Sequence, residues 1–227
     1  KGNIMKKYIY LVIFLLGFAN TSFAEKGINM GLSLQAGVFE TSAFEKEDDE
    51  TSVSKSAEGL FAIGSIFVEK VLPNDRVSFG LDFVPYALES ESSTHEQIDI
   101  KAGELESAAT TVNQNVQVDF ENMLTLYAKL NFNENVYLKV GYMQVEAVTN
   151  ETLGTGAQYG DKTLDGMTAG LGYNIDLDTG TFVRLEGNWM QFGGETFTAT
   201  GTDTGDNSVV VDDIDGYGAR VSIGKSF

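Results

Sequence analysis

The amino-acid sequence predicts an all-β fold, an eight-stranded antiparallel up-and-down transmembrane β-barrel. Three observations lead to this prediction. Eight segments alternate between apolar side chains and small or polar ones, with the period of two that marks a strand. Their connections alternate between short turns and long polar loops, and the last strand ends on an aromatic residue, Phe227. Even-stranded barrels of outer membranes combine these features.

The closing strand, residues 216–227, has the clearest alternation. Glycine, serine and one arginine occupy one face, and the other face consists of Tyr217, Ala219, Val221, Ile223 and Phe227. A terminal aromatic residue suits a strand whose end lies at a membrane interface. We therefore expect Tyr217, Val221, Ile223 and Phe227 to close the barrel, and we expect the barrel-insertion machinery to engage this strand.

The amino-terminal segment, residues 1–24, is a predicted secretory signal peptide. Met5, Lys6 and Lys7 give a positive start, an apolar run follows over residues 8–18, and Ala24 is the small residue expected before a cleavage site. The run is shorter than the ~20 apolar residues that a membrane-spanning helix needs. We expect translation to begin at Met5 and cleavage to follow Ala24, which leaves residues 25–227 as one barrel domain.

The composition is that of a strongly acidic exported protein. Without residues 1–24, 12 basic side chains stand against 33 acidic ones, a net charge of −21. Nucleic acid is excluded as a partner because phosphate binding requires basic patches, whereas cations suit this charge. The chain has no cysteine, so it forms neither disulfides nor thiolate metal sites. No second run of ~20 apolar residues occurs, which excludes a helical membrane protein.

For most predicted strands, the alternation shows which side chains form the apolar face and which form the polar face. In the fourth strand, we place Val118 and Phe120 on the apolar face and Asp119 and Glu121 on the polar face. In the second strand the facing stays open, because two apolar sets compete: Phe61, Ile63 and Phe67 against Leu60, Ile66 and Val68. The predicted strands cover residues 28–39, 59–71, 76–87, 116–130, 136–143, 166–175, 183–189 and 216–227.

The connections predict how the barrel is oriented. Short turns at residues 73–75, 131–135 and 176–180 alternate with long polar loops at residues 40–57, 88–113, 149–162 and 193–212. Barrels of outer membranes place such turns in the periplasm and such loops outside. A soluble two-sheet sandwich also alternates, but it requires neither the many small lumen-type glycines nor a terminal aromatic residue. Ten strands remain an alternative if residues 97–110 add a hairpin.

The polar faces of the strands carry eight charged residues that we expect in the lumen. An eight-stranded barrel is only wide enough for side chains to fill its interior, and buried charges must pair or cost several kcal/mol each. Four bases against four acids form a balanced set, which favours a plug of ion pairs over a gated narrow pore. The predicted network consists of Asp82, Asp119, Glu121, Lys129, Lys139, Arg184, Glu186 and Arg220.

No motif indicates catalysis or a metal site. Nucleophilic hydrolysis requires a histidine close to a serine and an acid, and the only histidine, His95, lies in a predicted exposed loop. Residues 213–216 resemble part of a calcium loop, but Val211 and Ser222 stand where its first and last ligands belong. We therefore expect no catalytic residue, no metal site and no cofactor. Diffuse binding of divalent cations to the acidic loops is a hypothesis.

Five short segments follow one another in the second half of the chain: LTLYAKL at 124–130 with YLKVGYM at 137–143, GLGY at 170–173 with VRLEGNW at 183–189, and VSIGKSF at 221–227. In this order they resemble the transmembrane domain of the OmpA-like family of outer-membrane barrels. The resemblance implies a lumen closed by paired charges, with Lys129 and Glu186 in that role.

Two departures from the OmpA-like pattern limit what the resemblance implies. Gly80 stands where the family has a lumen carboxylate, with Asp82 two residues further on. The sequence ends at Phe227 without the peptidoglycan-binding module of longer members. We therefore do not expect anchoring to the cell wall.

These features predict a non-enzymatic outer-membrane protein of a Gram-negative bacterium, with a structural or surface-display role, a plugged lumen and acidic external loops. The alternative is a small porin or channel for ions and small solutes, which requires a continuous water path past the lumen charges. An outer-membrane enzyme is a third hypothesis, and it requires His95 to converge with an acid and a hydroxyl group. The expected partners are outer-membrane lipid, lipopolysaccharide and divalent cations.

Overall fold

A computed structural model describes residues 27–47, 50–51, 54–73, 75–90, 92–100, 109–201 and 207–227. The predicted signal peptide lies outside the described residues and stays a prediction. No helix within those ranges is long and apolar enough to cross a membrane.

The fold is a closed ring of eight antiparallel strands, as predicted. Each strand pairs with the next along the chain, and β1 pairs with β8 from Asn29 opposite Ser226 to Glu40 opposite Asp215. This last pairing closes the sheet. The strands are β1 (Ile28–Glu47), β2 (Lys55–Val71), β3 (Val77–Phe83), β4 (Ala109–Asn131), β5 (Val136–Leu153), β6 (Lys162–Asp176), β7 (Thr181–Phe192) and β8 (Ile214–Ser226).

The barrel has an apolar outer surface, and its interior is polar toward the short turns. Leu34 on β1 is 73% exposed, whereas its neighbours Ser33 and Gln35 are buried. Successive side chains of a strand point to opposite sides, so the same alternation places apolar side chains against lipid and polar side chains in the lumen. In β2, whose facing the sequence left open, Ile63 and Phe67 are buried inside and the even-numbered residues face outward.

Outward-facing charges mark the limits of the apolar band. Toward the long loops, the band ends at Glu40 on β1 and at Glu58, which lies opposite Glu40 on β2. Toward the short turns it ends at Lys70 on β2 and at Lys225 on β8. The outward residues of β2 between Glu58 and Lys70 therefore lie within the hydrocarbon layer of a membrane.

A bulge in β4 reverses the predicted facing of its first half. The register against β5 shifts between Glu121 and Leu124, and Asn122 takes a positive φ of 55°. The bulge inserts one extra residue, so Val118 and Phe120 pack into the interior. Our placement of these two residues on the lipid face was wrong, because sequence alternation alone does not reveal an inserted residue.

The strands also extend further than the sequence indicated. Much of the four predicted polar loops is β structure, because β1, β2, β4 and β5 continue above the apolar band. Strand pairing continues along these extensions, as from Asp119 opposite Val148 to Gln114 opposite Leu153. Six short strands complete it: Glu50–Thr51, Leu88–Glu89, Ser93–Ile100, Gln158–Tyr159, Glu195–Thr200 and Ser208–Val211.

The hairpin considered as two extra barrel strands does form, but it adds none to the ring. Ser93–Ile100 pairs with residues 109–116 of β4 above the band, and residues 101–108 between them lie outside the described part of the chain. The ring therefore keeps eight strands.

Candidate functional site: the barrel lumen

The centre of the lumen toward the short turns is built around Glu69 on β2, which is 0% exposed. Its carboxylate accepts hydrogen bonds from Lys129 Nζ at 2.8 Å and from both terminal nitrogens of Arg184 at 2.9 Å. Tyr127 Oη and Asn29 Nδ2 also donate to it, at 3.2 and 2.9 Å. Five donor atoms from four side chains thus surround one carboxylate, and two of these side chains, Lys129 and Arg184, are charged.

A second carboxylate, Glu186 on β7, organises the other side of the lumen. Lys139 Nζ donates to it in an ion pair, and Tyr137 Oη donates at 3.1 Å. Arg220 Nε lies 3.9 Å from Glu186, and the Arg220 guanidinium forms an ion pair with Asp82 on β3. The two centres together hold three acids and four bases, so each buried charge has an opposite charge beside it, as low-dielectric surroundings require.

The β4–β5 hairpin provides matching parts of both centres. Lys129 lies directly opposite Lys139 in the register, and each lysine follows an inward tyrosine by two residues. Each ammonium group also lies over the other strand's tyrosine ring, with Lys129 Nζ 5.2 Å from the centre of the Tyr137 ring and Lys139 Nζ 5.4 Å from that of Tyr127. Cation–π attraction of this kind holds the like-charged pair in place.

Two glycines make room for the tyrosine rings. A Cβ atom at Gly80 on β3 would collide with the ring of Tyr127, and one at Gly172 on β6 would collide with the ring of Tyr137. Each ring therefore lies flat over the backbone of the neighbouring strand. Gly80, which differs from the carboxylate expected of OmpA-like barrels, serves this packing, and Asp82 supplies the carboxylate instead.

The charged centres leave almost no free space in this part of the lumen. The cavity among them measures about 10 Å³, which is about the room of one water molecule. The lining includes all seven charged groups except Glu69, together with both tyrosines. The charged and aromatic side chains around this cavity therefore leave room for about one water molecule.

Six of the eight residues that we predicted for the network lie together here: Asp82, Lys129, Lys139, Arg184, Glu186 and Arg220. The central acid, Glu69, was missed because the facing of β2 was ambiguous. Its position two residues from the inward Phe67 is the signal that would have found it.

Asp119 and Glu121 are not part of the network, which corrects our prediction. The bulge in β4 places them on the outward face, where Asp119 accepts hydrogen bonds from Gln117 at 3.2 Å and Asn150 at 2.7 Å. Glu121 lies opposite Glu146 on β5. On the closing strand, more than half of each side chain is exposed on the outer surface for Tyr217, Val221, Ile223 and Phe227, as expected of residues that face lipid.

The lumen changes character toward the long loops, where it becomes apolar. Phe39 stacks on Phe61 with ring centres 4.4 Å apart. Buried residues from five of the eight strands form this cluster, together with the segment after β3. Its fully buried members are Ile63, Val84, Met123, Met143, Val145, Ala147, Leu164, Met190 and Phe192.

The wall of the barrel is incomplete beside this apolar cluster. β3 pairs with β2 only from Val71 opposite Ser78 to Ile66 opposite Phe83. The chain after Phe83 stays bonded to β4, through Val84 N to Met123 O at 3.0 Å and through Leu88 opposite Phe120. In the part of the chain that the structure describes, no strand therefore pairs with this edge of β2 above Ile66. We call this opening the seam.

One side chain bridges the seam. Pro85, which has no N–H to donate, and Tyr86 follow the end of β3, and the backbone N–H of Gly64 on β2 donates to Tyr86 Oη. Leu60 on the same edge is 89% exposed. Because the seam lies between the levels of Glu58 and Lys70, it opens toward the hydrocarbon layer.

Other sequence candidates lie apart from the lumen. His95 belongs to the strand Ser93–Ile100, not to an irregular loop, and its backbone lies opposite Gln114. Asp213 accepts a hydrogen bond from the backbone of Gly194 at 2.9 Å, and Asp215 accepts one from Trp189 Nε1 at 3.1 Å. These acids thus hold loops and strand ends.

No family model matches the sequence, and no curated protein matches it. The fold is similar to that of the outer membrane protein OprG from Pseudomonas aeruginosa, with a TM-score of 0.51 at 14% identity over 89% of this chain and 97% of that one. It is also similar to AlkL, with a TM-score of 0.49 at 12% identity over 92% and 93% of the two chains.

A third similar structure is the outer membrane protease OmpT from Escherichia coli, with a TM-score of 0.48 at 11% identity over 92% and 99% of the two chains. Likeness at these identities shows the fold alone. The chain has the fold of outer-membrane β-barrel proteins.

Proposed function

We propose that this protein is a non-enzymatic outer-membrane barrel with a structural or surface-display role, whose lumen is closed to ions. The closed network around Glu69 and Glu186 supports this proposal most directly. Its charged groups are bonded to one another, and the space among them is about that of one water molecule. A hydrated ion needs a wider and continuous path.

The outer surface supports placement in an outer membrane. An apolar band surrounds the barrel and ends at acidic residues toward the loops and at lysines toward the turns. Beyond the band, strand extensions such as Ser93–Ile100 and Glu195–Thr200 project from the barrel. An acidic extension of this kind suits display at a cell surface, with lipopolysaccharide and divalent cations as its proposed neighbours.

Single-channel recording of the refolded protein in planar bilayers tests the proposed closure. We expect no conductance steps from the parent protein. The Arg184→Ala variant removes two of the bonds to Glu69, and we expect it to open brief conductance steps because water enters the space it leaves. Steady ion conductance of the parent protein would contradict the proposal.

A second candidate function is a channel for small apolar solutes, which leave the lumen through the barrel wall and enter the lipid layer. Two observations favour it: the apolar lumen toward the loops, and the seam that joins this region to the lipid layer. Phe61 and Ile63 on β2 and Val84 and Leu88 after β3 belong to or pack against the apolar cluster. A solute that follows this path never meets the charged network, so sealing against ions and passage of apolar solutes are compatible.

Uptake of an apolar dye by cells that display the protein tests this second function. N-phenyl-1-naphthylamine fluoresces when it enters membrane lipid, and an intact outer membrane slows its entry. We expect cells with the protein to take up the dye faster than cells with an empty vector. Equal rates would contradict the lateral path and leave the structural role.

A further inference from the structure

The free edge of β2 is an unusual feature for a strand within a membrane. A backbone polar group without a partner in hydrocarbon costs several kcal/mol, and barrels normally avoid this by pairing every edge. N–H and C=O groups of alternate residues share one edge of a strand, so Leu60 and Ala62 point into the seam as Gly64 does. Among the described residues, neither has a backbone partner there.

Tyr86 compensates for this loss at one point. Its phenolic oxygen accepts the hydrogen bond from Gly64 that a strand carbonyl would otherwise accept. Gly64 has the space for it, because a Cβ atom there would lie only 3.3 Å from the Tyr86 oxygen and 3.5 Å from Leu34 Cδ2. A side chain thus replaces backbone pairing, and a single-bond rotation of that side chain breaks the bond.

The connection across this edge differs from that of paired strands. Paired strands exchange backbone hydrogen bonds, whereas here the bond from β2 to the segment after β3 goes to the end of a tyrosine side chain. The apolar residues Phe61 and Ile63 on β2 and Val84 after β3 belong to or pack against the apolar cluster of the lumen beside this edge.

We propose that Tyr86 is the latch of the seam: its hydrogen bond to Gly64 holds the wall shut, and its release admits a small apolar solute from the apolar lumen to the lipid. This inference rests on the second candidate function, the lateral path. Opening exchanges one hydrogen bond for contact between the solute and the apolar lining. The latch therefore sets the rate of passage, and the solute that passes is a molecule without charge.

The test uses the dye-uptake assay on cells that display the full chain. Tyr86→Phe keeps the ring and removes the acceptor. A typical net hydrogen bond corresponds to a change of about 2- to 10-fold in an equilibrium, so we expect uptake to rise by about that factor. Tyr173→Phe is the matched control, because it removes an outward tyrosine hydroxyl on β6, four strands away from β2 in the ring. We expect its rate to equal that of the parent protein.

A reversible cross-link tests whether the lateral path exists, independently of the role of Tyr86 as its latch. The chain has no cysteine, so Ala62→Cys with Ala87→Cys permits a short dithiol-reactive linker across the seam while Tyr86 stays in place. Ala36→Cys with Ala219→Cys is the control pair, since these residues lie opposite each other on the paired strands β1 and β8. We expect the seam linker to stop uptake until a reductant is added, and the control linker to have no effect.

The outcomes are distinct. Uptake at the parent rate with the seam linker in place would overturn the lateral path, and the latch with it. Blocked uptake together with an unchanged or slower rate for Tyr86→Phe would overturn the latch and leave the path standing. A faster Tyr86→Phe with a blocked seam variant supports both. Heat-modifiable migration on denaturing gels verifies that each variant forms a folded barrel.

Discussion

Replacing Glu69 by glutamine should destabilise the barrel more than any other single acidic replacement. The substitution keeps the shape of the side chain and removes its charge. Lys129 and Arg184, both nearly buried, then lose their opposite charge. Removing one partner of a buried ion pair costs about 3–5 kcal/mol, so the unfolding equilibrium constant should rise by about two to four orders of magnitude.

Equilibrium unfolding in urea, measured on the refolded protein in lipid vesicles, provides the assay for Glu69→Gln. Asp119→Asn is the matched control, because it makes the same chemical change on the outward face, where we expect less than about 0.5 kcal/mol. The double variant Glu69→Gln with Lys129→Met should recover part of the loss, since it removes one unpaired cation. A change below about 0.5 kcal/mol for Glu69→Gln, or a larger one for Asp119→Asn, would refute the central role of Glu69.

Three further predictions concern the packing, the seal and the closing strand. Gly80→Ala should cost about 1–3 kcal/mol because its Cβ collides with the Tyr127 ring, whereas Gly187→Ala, with open space around its Cβ, should be neutral; urea unfolding measures both. Glu186→Ala should produce conductance steps in planar bilayers as Arg184→Ala does, and silent recordings from both variants would show that the network is not the seal. Replacing Phe227 by lysine should slow assembly into vesicles, followed by heat-modifiable migration, and an unchanged rate would argue against its role at the interface.

Sequence alternation predicts some residues of the candidate site and misses or misplaces others. Alternation places Arg184, Glu186 and Arg220 on the lumen side, where the structure has them, because each lies in a strand whose apolar face is continuous. Asp119 was misplaced because one inserted residue near Asn122 reverses every side chain above it. Glu69 was missed because both faces of β2 carry apolar residues: Phe67 and Ile63 line the lumen while Leu60 and Ile66 face lipid.

The sequence by itself determined the eight-stranded barrel, its closing strand and most of its lumen charges. Period-two alternation and turn spacing are local properties, and they require no knowledge of neighbouring strands. The tertiary structure decided the centre of the network on Glu69, the apolar cluster toward the loops and the seam bridged by Tyr86. These depend on which strands pair and on where a pairing stops, and the early end of β3 at Phe83 is a fact of register between strands.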